Sequence, residues 1–257
     1  MQKLILVAAL SAVMLSPAFA EEKGAKHEEG KHAHWSYAGP TGATKWGDMQ
    51  ADFATCKLGK KQSPIDIKGA RKGDLPAIGF NYSQSNAEVV NNGHTIQVNL
   101  TSGGDVKVAS GGYKLLQFHF HTPSEEKVNG KAYPLVAHLV HKSDAGKLAV
   151  VAVLFKEGQR NGVLEKVFAA MPAQEDGKAD LAGGINVTNL LPPTKRAYWA
   201  FEGSLTTPPC SEEVQWHVLK EPVPISKEQI AAFKKLYPMN ARPVQPLNGR
   251  TLQEGGA

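Results

Sequence analysis

Between residues 77 and 155, apolar and polar positions alternate with a two-residue period, and turn residues interrupt the pattern at short intervals. Residues 87–90 run into Asn91-Asn92-Gly93, residues 94–100 alternate, and Ser102-Gly103-Gly104-Asp105 turns the chain again. Segments 106–108, 113–121, 133–141 and 147–155 continue the series. The last two are joined closely through Asp144-Ala145-Gly146, which predicts an antiparallel meander. Helical periodicity is rarer. Residues 161–171 place Val163, Leu164, Val167, Phe168 and Met171 on one stripe. Residues 226–237 open with Ser226 and Gln229 at capping-box spacing and repeat at Ile230, Phe233 and Tyr237. No repeat and no internal linker interrupts this order, so the pattern predicts one mainly β domain over 34–257 with a few short helices.

The segment 113–121 ends in Gln117-Phe118-His119-Phe120-His121. On a strand, His119 and His121 leave one face about 7 Å apart while Phe118 and Phe120 enter a core on the other. Such a pair is placed to share one metal ion. A third ligand must come from a neighbouring strand. After the loop Thr122-Pro123-Ser124-Glu125-Glu126, the dipeptide Asn129-Gly130 signals a hairpin, and the chain returns through the apolar stretch 132–141. His138 then sits opposite the His119/His121 pair, whereas His141, three positions on, faces the other side. Three histidines with one coordination position left open form a catalytic zinc arrangement; a structural site closes with a fourth protein ligand.

Residues 1–20 change the expected setting. Lys3, an apolar run over 4–15 and the small-residue pattern Ala18-Phe19-Ala20 describe a signal peptide cleaved after Ala20, hence an exported and, in a bacterium, periplasmic protein. No later stretch is long and apolar enough to span a bilayer, so no membrane association is expected after cleavage. Residues 21–33 read as a flexible arm carrying His27 and His32, with His34 at its edge. The arm is either a solvated linker or a metal-scavenging, proton-buffering segment. The formal charge of +5 is mild, spread along the chain and without a basic stripe interleaved with aromatics, which argues against nucleic acid as a partner. In an exported protein the only two cysteines, Cys56 and Cys210, are expected to form one disulfide, with zinc ligation as the rival reading.

With these residues in view, the chain resembles the α-class carbonic anhydrases of the bacterial, exported kind. The matching blocks run from Trp35 to Arg250: Gln62-Ser63-Pro64-Ile65, Asn91-Asn92-Gly93-His94, Gln117-Phe118-His119-Phe120-His121, Ser124-Glu125, His138-Leu139-Val140-His141 and Ser204-Leu205-Thr206-Thr207-Pro208-Pro209. The resemblance implies a large twisted, mostly antiparallel central sheet with short peripheral helices and a cleft reaching Zn2+ on His119, His121 and His138. It also implies reversible hydration of carbon dioxide to bicarbonate and a proton, with zinc-bound hydroxide as nucleophile. In that scheme Thr206 accepts a hydrogen bond from the nucleophile and passes its own proton to Glu125, and His94 shuttles protons to buffer. Tyr37 and Asn92 hold a water chain, and Val140, Val150, Leu205, Thr207 and Trp216 line the substrate pocket. Gln117 holds the outer nitrogen of His119. The partners implied are small molecules, and the chain is expected to be a monomer or a homodimer.

One position departs from the family pattern. Many members place a glutamate two residues before the third zinc histidine, and here Val136 stands there. Losing such an outer partner typically costs about 10–100-fold in metal affinity or activity, so zinc is expected to be held less tightly than in a Val136→Glu variant unless another group substitutes. A catalytically silent metal-binding relative is the alternative reading. The complete set His119, His121, His138, Thr206, Glu125 and His94 argues against it.

Overall fold

The computed structural model describes residues 34–193 and 197–256, so the expected signal peptide 1–20 and the arm 21–33, with His27 and His32, lie outside the described residues. The alternating segments form β1 (Ala87–Asn91), β2 (Ile96–Leu100), β3 (Gly104–Val108), β4 (Gly111–His121), β5 (Leu135–Lys142) and β6 (Leu148–Glu157), followed later by β7 (Tyr198–Ser204) and β8 (Glu212–Leu219). These make up the body of a sheet of 13 strands among the described residues, with spatial order β1-β2-β4-β5-β6-β8-β7 through its centre. The predicted meander is present: β5 pairs antiparallel with β4 on one side and with β6 on the other. The sheet is mostly antiparallel, but β6 runs parallel to β8 and to Val223–Ile225, and Gln253–Gly255 runs parallel to Arg71–Lys72.

Asn129 and Gly130 form the expected turn with φ of 51° and 79°, the left-handed values a tight hairpin needs. The turn joins only the short strands Lys127–Val128 and Lys131–Ala132, and β5 begins at Leu135 instead of continuing from residue 132. Pro134 has no N–H to give a ladder, so the strand starts after it.

The two helices predicted from the sequence are α1 (Gly162–Ala169) and α2 (Lys227–Leu236); two four-residue helices, Trp46–Met49 and Thr55–Leu58, precede them. Asn161 Oδ1 caps α1 by accepting from the N–H groups of Val163 and Leu164, and the Ser226/Gln229 box opens α2 with both reciprocal bonds made. Both helices cover the back of β4. The rings of Phe168 and Phe233 lie 5.4 and 5.9 Å from that of Phe120.

Alternation along β5 sorts the interior into two cores. Leu135, Ala137 and Leu139 join Phe118 and Phe120 in the larger one beneath the helices. Val136 and Val140 join Val150, Leu154 and Trp216 in a smaller one on the opposite face, the face that carries His138. The metal-site strand is therefore clamped from both sides.

Two further histidines are buried in the sheet. His141 shares a 2.7 Å hydrogen bond between its Nε2 and the Tyr82 hydroxyl, as its exclusion from the ligand face required. Burial pushes His141 and His217 down to about 4. Each ionises near 6.5 in an unfolded chain, so the unfolded state binds more protons between those values. Stability is accordingly expected to be flat above pH 6.5 and to fall as the pH drops from 6.5 to 4, by up to about 3 kcal/mol per histidine. Guanidinium unfolding at pH 7, 5.5 and 4 reads this. In metal-free protein the His141→Gln variant should lose about a quarter of the slope in that window, because burial also holds His119 and His121 low, and an unchanged slope would contradict the assignment.

Candidate metal centre and its cleft

The three predicted ligands converge. His138 lies directly opposite His119 in the β4–β5 register, and Val136 lies opposite His121. One ring nitrogen from each of the three histidines lies within 4.8 Å of the others, a spacing a single ion can bridge. The outer nitrogen of each ring is engaged elsewhere. His119 Nδ1 pairs with Gln117 Oε1 at 2.9 Å, His121 Nδ1 donates to the Asn240 carbonyl at 2.7 Å, and His138 Nε2 meets the Glu126 carboxylate at 2.9 and 3.2 Å. The inward set is therefore Nε2, Nε2 and Nδ1.

A divalent cation fits this donor set. His121 Nε2 and Glu125 Oε2 are buried without a hydrogen-bond partner and lie 3.5 Å apart, and such orphaned buried groups call for a ligand. Burial, reinforced by the neighbouring His138, holds His119 near 3, and burial likewise holds His121 well below its ordinary value. Both rings stay neutral at physiological pH, the state a metal requires. His138 moves the other way. Burial works against its charged form, but the Glu126 and Glu125 carboxylates outweigh it and raise its pKa.

Around the ligands, Glu125 is almost fully buried, and burial, opposed by the His138 imidazole, pushes its carboxyl up to about 7. Its Oε1 accepts from the Arg242 backbone N–H at 2.7 Å, and the Thr206 hydroxyl acts on the same carboxylate to lower its pKa. The Tyr37 hydroxyl is buried without a hydrogen-bond partner, with its ring edge-on to His121 at 6.4 Å. Burial, and after it Glu125, raises its pKa, so it stays a neutral phenol. His94 is stacked flat on Trp35, with centroids 3.6 Å apart and planes 9° apart, and His34 lies 5.9 Å away. Partial burial and then the His34 ring lower its pKa.

The apolar residues assigned to the substrate pocket form one patch beside the ligands. Val140 pairs with Val150, Val150 with Trp216, and the Trp216 ring stands edge-on to His138 at 4.9 Å. Leu205 packs against this cluster, and Thr207, next to Thr206, accepts the Cys210 N–H on its carbonyl. Cys56 and Cys210 are joined in a disulfide, which removes zinc ligation by thiolates from consideration.

Asn92 Oδ1 accepts from the N–H groups of His94 and Thr95 at 3.0 and 2.9 Å, so this oxygen shapes the turn that presents His94. One expectation changes. The outer partner thought missing with Val136 is present, because Glu126 occupies that role from the loop after β4. The expectation of weaker zinc retention than in Val136→Glu therefore falls.

Sequence reasoning also missed Asn240 and Arg242. Asn240 ties the site together: besides holding His121, its side chain accepts from Thr122 N–H and donates to the carbonyls of Phe120 and His94. The segment after α2 has neither strand nor helix period, and its charged Arg242 among prolines was the only signal there.

Comparison with known proteins agrees with this geometry. The family described as eukaryotic-type carbonic anhydrase matches residues 41–255. A carbonic anhydrase of Pectobacterium atrosepticum is 40% identical over 94% of this chain and 96% of its own length. One from Neisseria gonorrhoeae is 42% identical over 95% and 96%. The solved α-carbonic anhydrase of Thermovibrio ammonificans, in complex with the inhibitor sulfanilamide, superposes with a TM-score of 0.83 at 47% identity, covering 86% of this chain and 98% of that one. A mainly β fold that converges three imidazoles on one point, each able to offer one nitrogen, defines the class of zinc-dependent enzymes. The chain belongs to the α-class, eukaryotic-type carbonic anhydrase family, whose cofactor is zinc and whose substrate is carbon dioxide.

Proposed function

We propose that the chain hydrates carbon dioxide reversibly, with His119, His121 and His138 holding zinc, Thr206 and Glu125 orienting the nucleophile and His94 exporting the proton. The observation that carries this reading is the convergence of three histidine nitrogens, His119 half-buried and His121 and His138 buried, each fixed from behind by its own partner. Bound zinc supplies a concentrated positive charge that makes solvent ionisable near neutral pH. The residues of the chain do the rest. The Thr206 hydroxyl donates toward Glu125, so its oxygen is left to accept, which selects for a donor at the reacting position. Val140, Val150, Leu205 and Trp216 offer carbon dioxide an apolar wall beside that position and exclude water. His94 is half-buried with its ring face on Trp35, which leaves the ring nitrogens at its edge to take up and release a proton. Tyr37 stays protonated and is placed to order solvent between the ligands and His94.

The leader-like segment 1–20 and the Cys56–Cys210 disulfide support export and, in a bacterium, work in the periplasm. No helix among the described residues is long and apolar enough to cross a membrane.

Stopped-flow carbon dioxide hydration tests the reading. The unaltered protein should show zinc-dependent turnover. His94→Ala should lose about 10- to 100-fold of kcat at low buffer, recover with added imidazole and leave kcat/KM nearly unchanged, because proton export follows the chemical step. No hydration by zinc-loaded protein would overturn the function. An unaffected His94→Ala variant would remove only the shuttle role.

A further inference from the structure

We infer that Glu126 is the residue that positions the third metal ligand, a carboxylate moved from strand β5 into the loop after β4 to occupy the place left by Val136. The inference rests on the zinc reading above and goes beyond it in assigning a role to a residue outside the blocks that carry the family likeness.

Four observations converge on it. The Glu126 side chain is fully buried, and both of its oxygens lie within reach of one donor, His138 Nε2, at 2.9 and 3.2 Å. Among the described residues no lysine or arginine side chain pairs with it, so a carboxylate has been sealed in the interior with an imidazole as its only ion-pair partner. Burying a charge is costly unless that partner is well placed, so the pair is mutually dependent. The loop backbone is also clamped: Ser124 Oγ donates to the Glu126 carbonyl at 2.7 Å and accepts from Tyr133 N–H at 2.8 Å, while Lys127 N–H donates to Ile65 O. Finally, Val136, one pleat from His138 on the same face, is packed among Val140, Leu154 and Trp216 and offers no polar atom.

The consequence is chemical. With Nε2 held as a donor to Glu126, the free lone pair of His138 is confined to Nδ1, the atom that faces the other two ligands. The carboxylate thus sets the tautomer and locks the ring's rotation. Those are the two properties an outer partner contributes, whichever strand or loop supplies it. The site keeps the interaction while its source moves by ten positions along the chain.

Zinc release into excess chelator, followed by metal stoichiometry, tests this on full-length protein. Glu126→Gln should release zinc about 10–100-fold faster than the unaltered protein. Val136→Glu alone should bring no gain, because His138 Nε2 is already engaged. The decisive variant is Glu126→Gln/Val136→Glu, in which a carboxylate returned to β5 should restore slow release. A merely structural Glu126 would lower the melting temperature of metal-free and zinc-loaded protein equally, with no rescue from position 136. A positioning residue reduces the zinc-induced gain in melting temperature selectively. Unchanged release from Glu126→Gln, or loss that the double variant fails to recover, would overturn the inference. Should the variants not fold, nitrogen-15 NMR of the unaltered zinc-loaded protein still decides. His138 should carry its proton on Nε2, slow to exchange, and a proton on Nδ1 or fast exchange would refute it. If the unaltered protein binds no zinc, the functional reading fails; if it binds zinc and hydrates carbon dioxide while Glu126→Gln behaves as the parent, only this inference does.

Discussion

His121→Ala is expected to lose stoichiometric zinc and to cut carbon dioxide hydration by more than about 10²-fold, beyond the 10–100-fold that removing an outer partner costs. The residue is fully buried, and its Nε2 is an orphan 3.5 Å from Glu125 Oε2, so alanine removes both this ligand atom and the Nδ1 link to Asn240. Two imidazoles alone leave the ion with too few protein ligands to compete with chelators in solution. The loss would also free the Asn240 carbonyl, whose bond to His121 anchors the segment carrying Arg242 behind Glu125. Equilibrium dialysis against zinc and stopped-flow hydration read the two effects, and the melting temperature of the metal-free proteins controls for folding. A variant that retains one zinc per chain and hydrates carbon dioxide within tenfold of the parent would exclude His121 from the metal site.

The ligand trio was visible in the sequence because two rules sufficed. Strand alternation put His119 and His121 on one face, and a hairpin signal between two apolar runs brought His138 opposite them. The same alternation identified Phe118 and Phe120 as core and His141 as an outsider. It is silent on topology at β6 and β8, since a two-residue period reads the same whether neighbours run parallel or antiparallel. Glu126 was hidden for a related reason. Same-face logic directs attention to position 136, whereas loop residues follow no period; the hints were a glutamate doublet and an apolar residue where a carboxylate is usual. Asn240 holds His121 through a carbonyl that any residue would bring, so no side-chain pattern could reveal that bond. At Asn92 the residue type was informative, and its oxygen has a further task that spacing did not reveal, building the turn that presents His94.

Loss of the disulfide should have the largest effect on stability. Cys56 and Cys210 are 154 positions apart, and closing a loop of that length contributes about 4–5 kcal/mol in the chain-entropy treatment, so Cys56→Ser/Cys210→Ser should melt roughly 10–20 °C below the parent. The bond also sits in a buried network that ends at the active site. Gln62 Nε2 donates to the Cys210 carbonyl at 3.0 Å, and its Oε1 accepts from Arg242 Nη1 at 2.9 Å. Arg242 Nη2 donates to the Cys56 carbonyl, Nη1 to the Ser63 carbonyl, and its backbone N–H to Glu125 Oε1. Cys210 N–H in turn donates to the carbonyl of Thr207, beside Thr206. Releasing the two sulfurs therefore loosens both halves of the Thr206–Glu125 pair at once. Below its melting temperature the double serine variant should keep zinc on His119, His121 and His138 but lose several-fold in kcat/KM, since it is the orienting hydroxyl and not the ligand trio that drifts. Thermal unfolding, zinc stoichiometry and kcat/KM at one moderate temperature separate these outcomes. A variant that melts with the parent would show that the packed network holds without the covalent tie, and a low melting point with full kcat/KM would show that the tether serves stability alone.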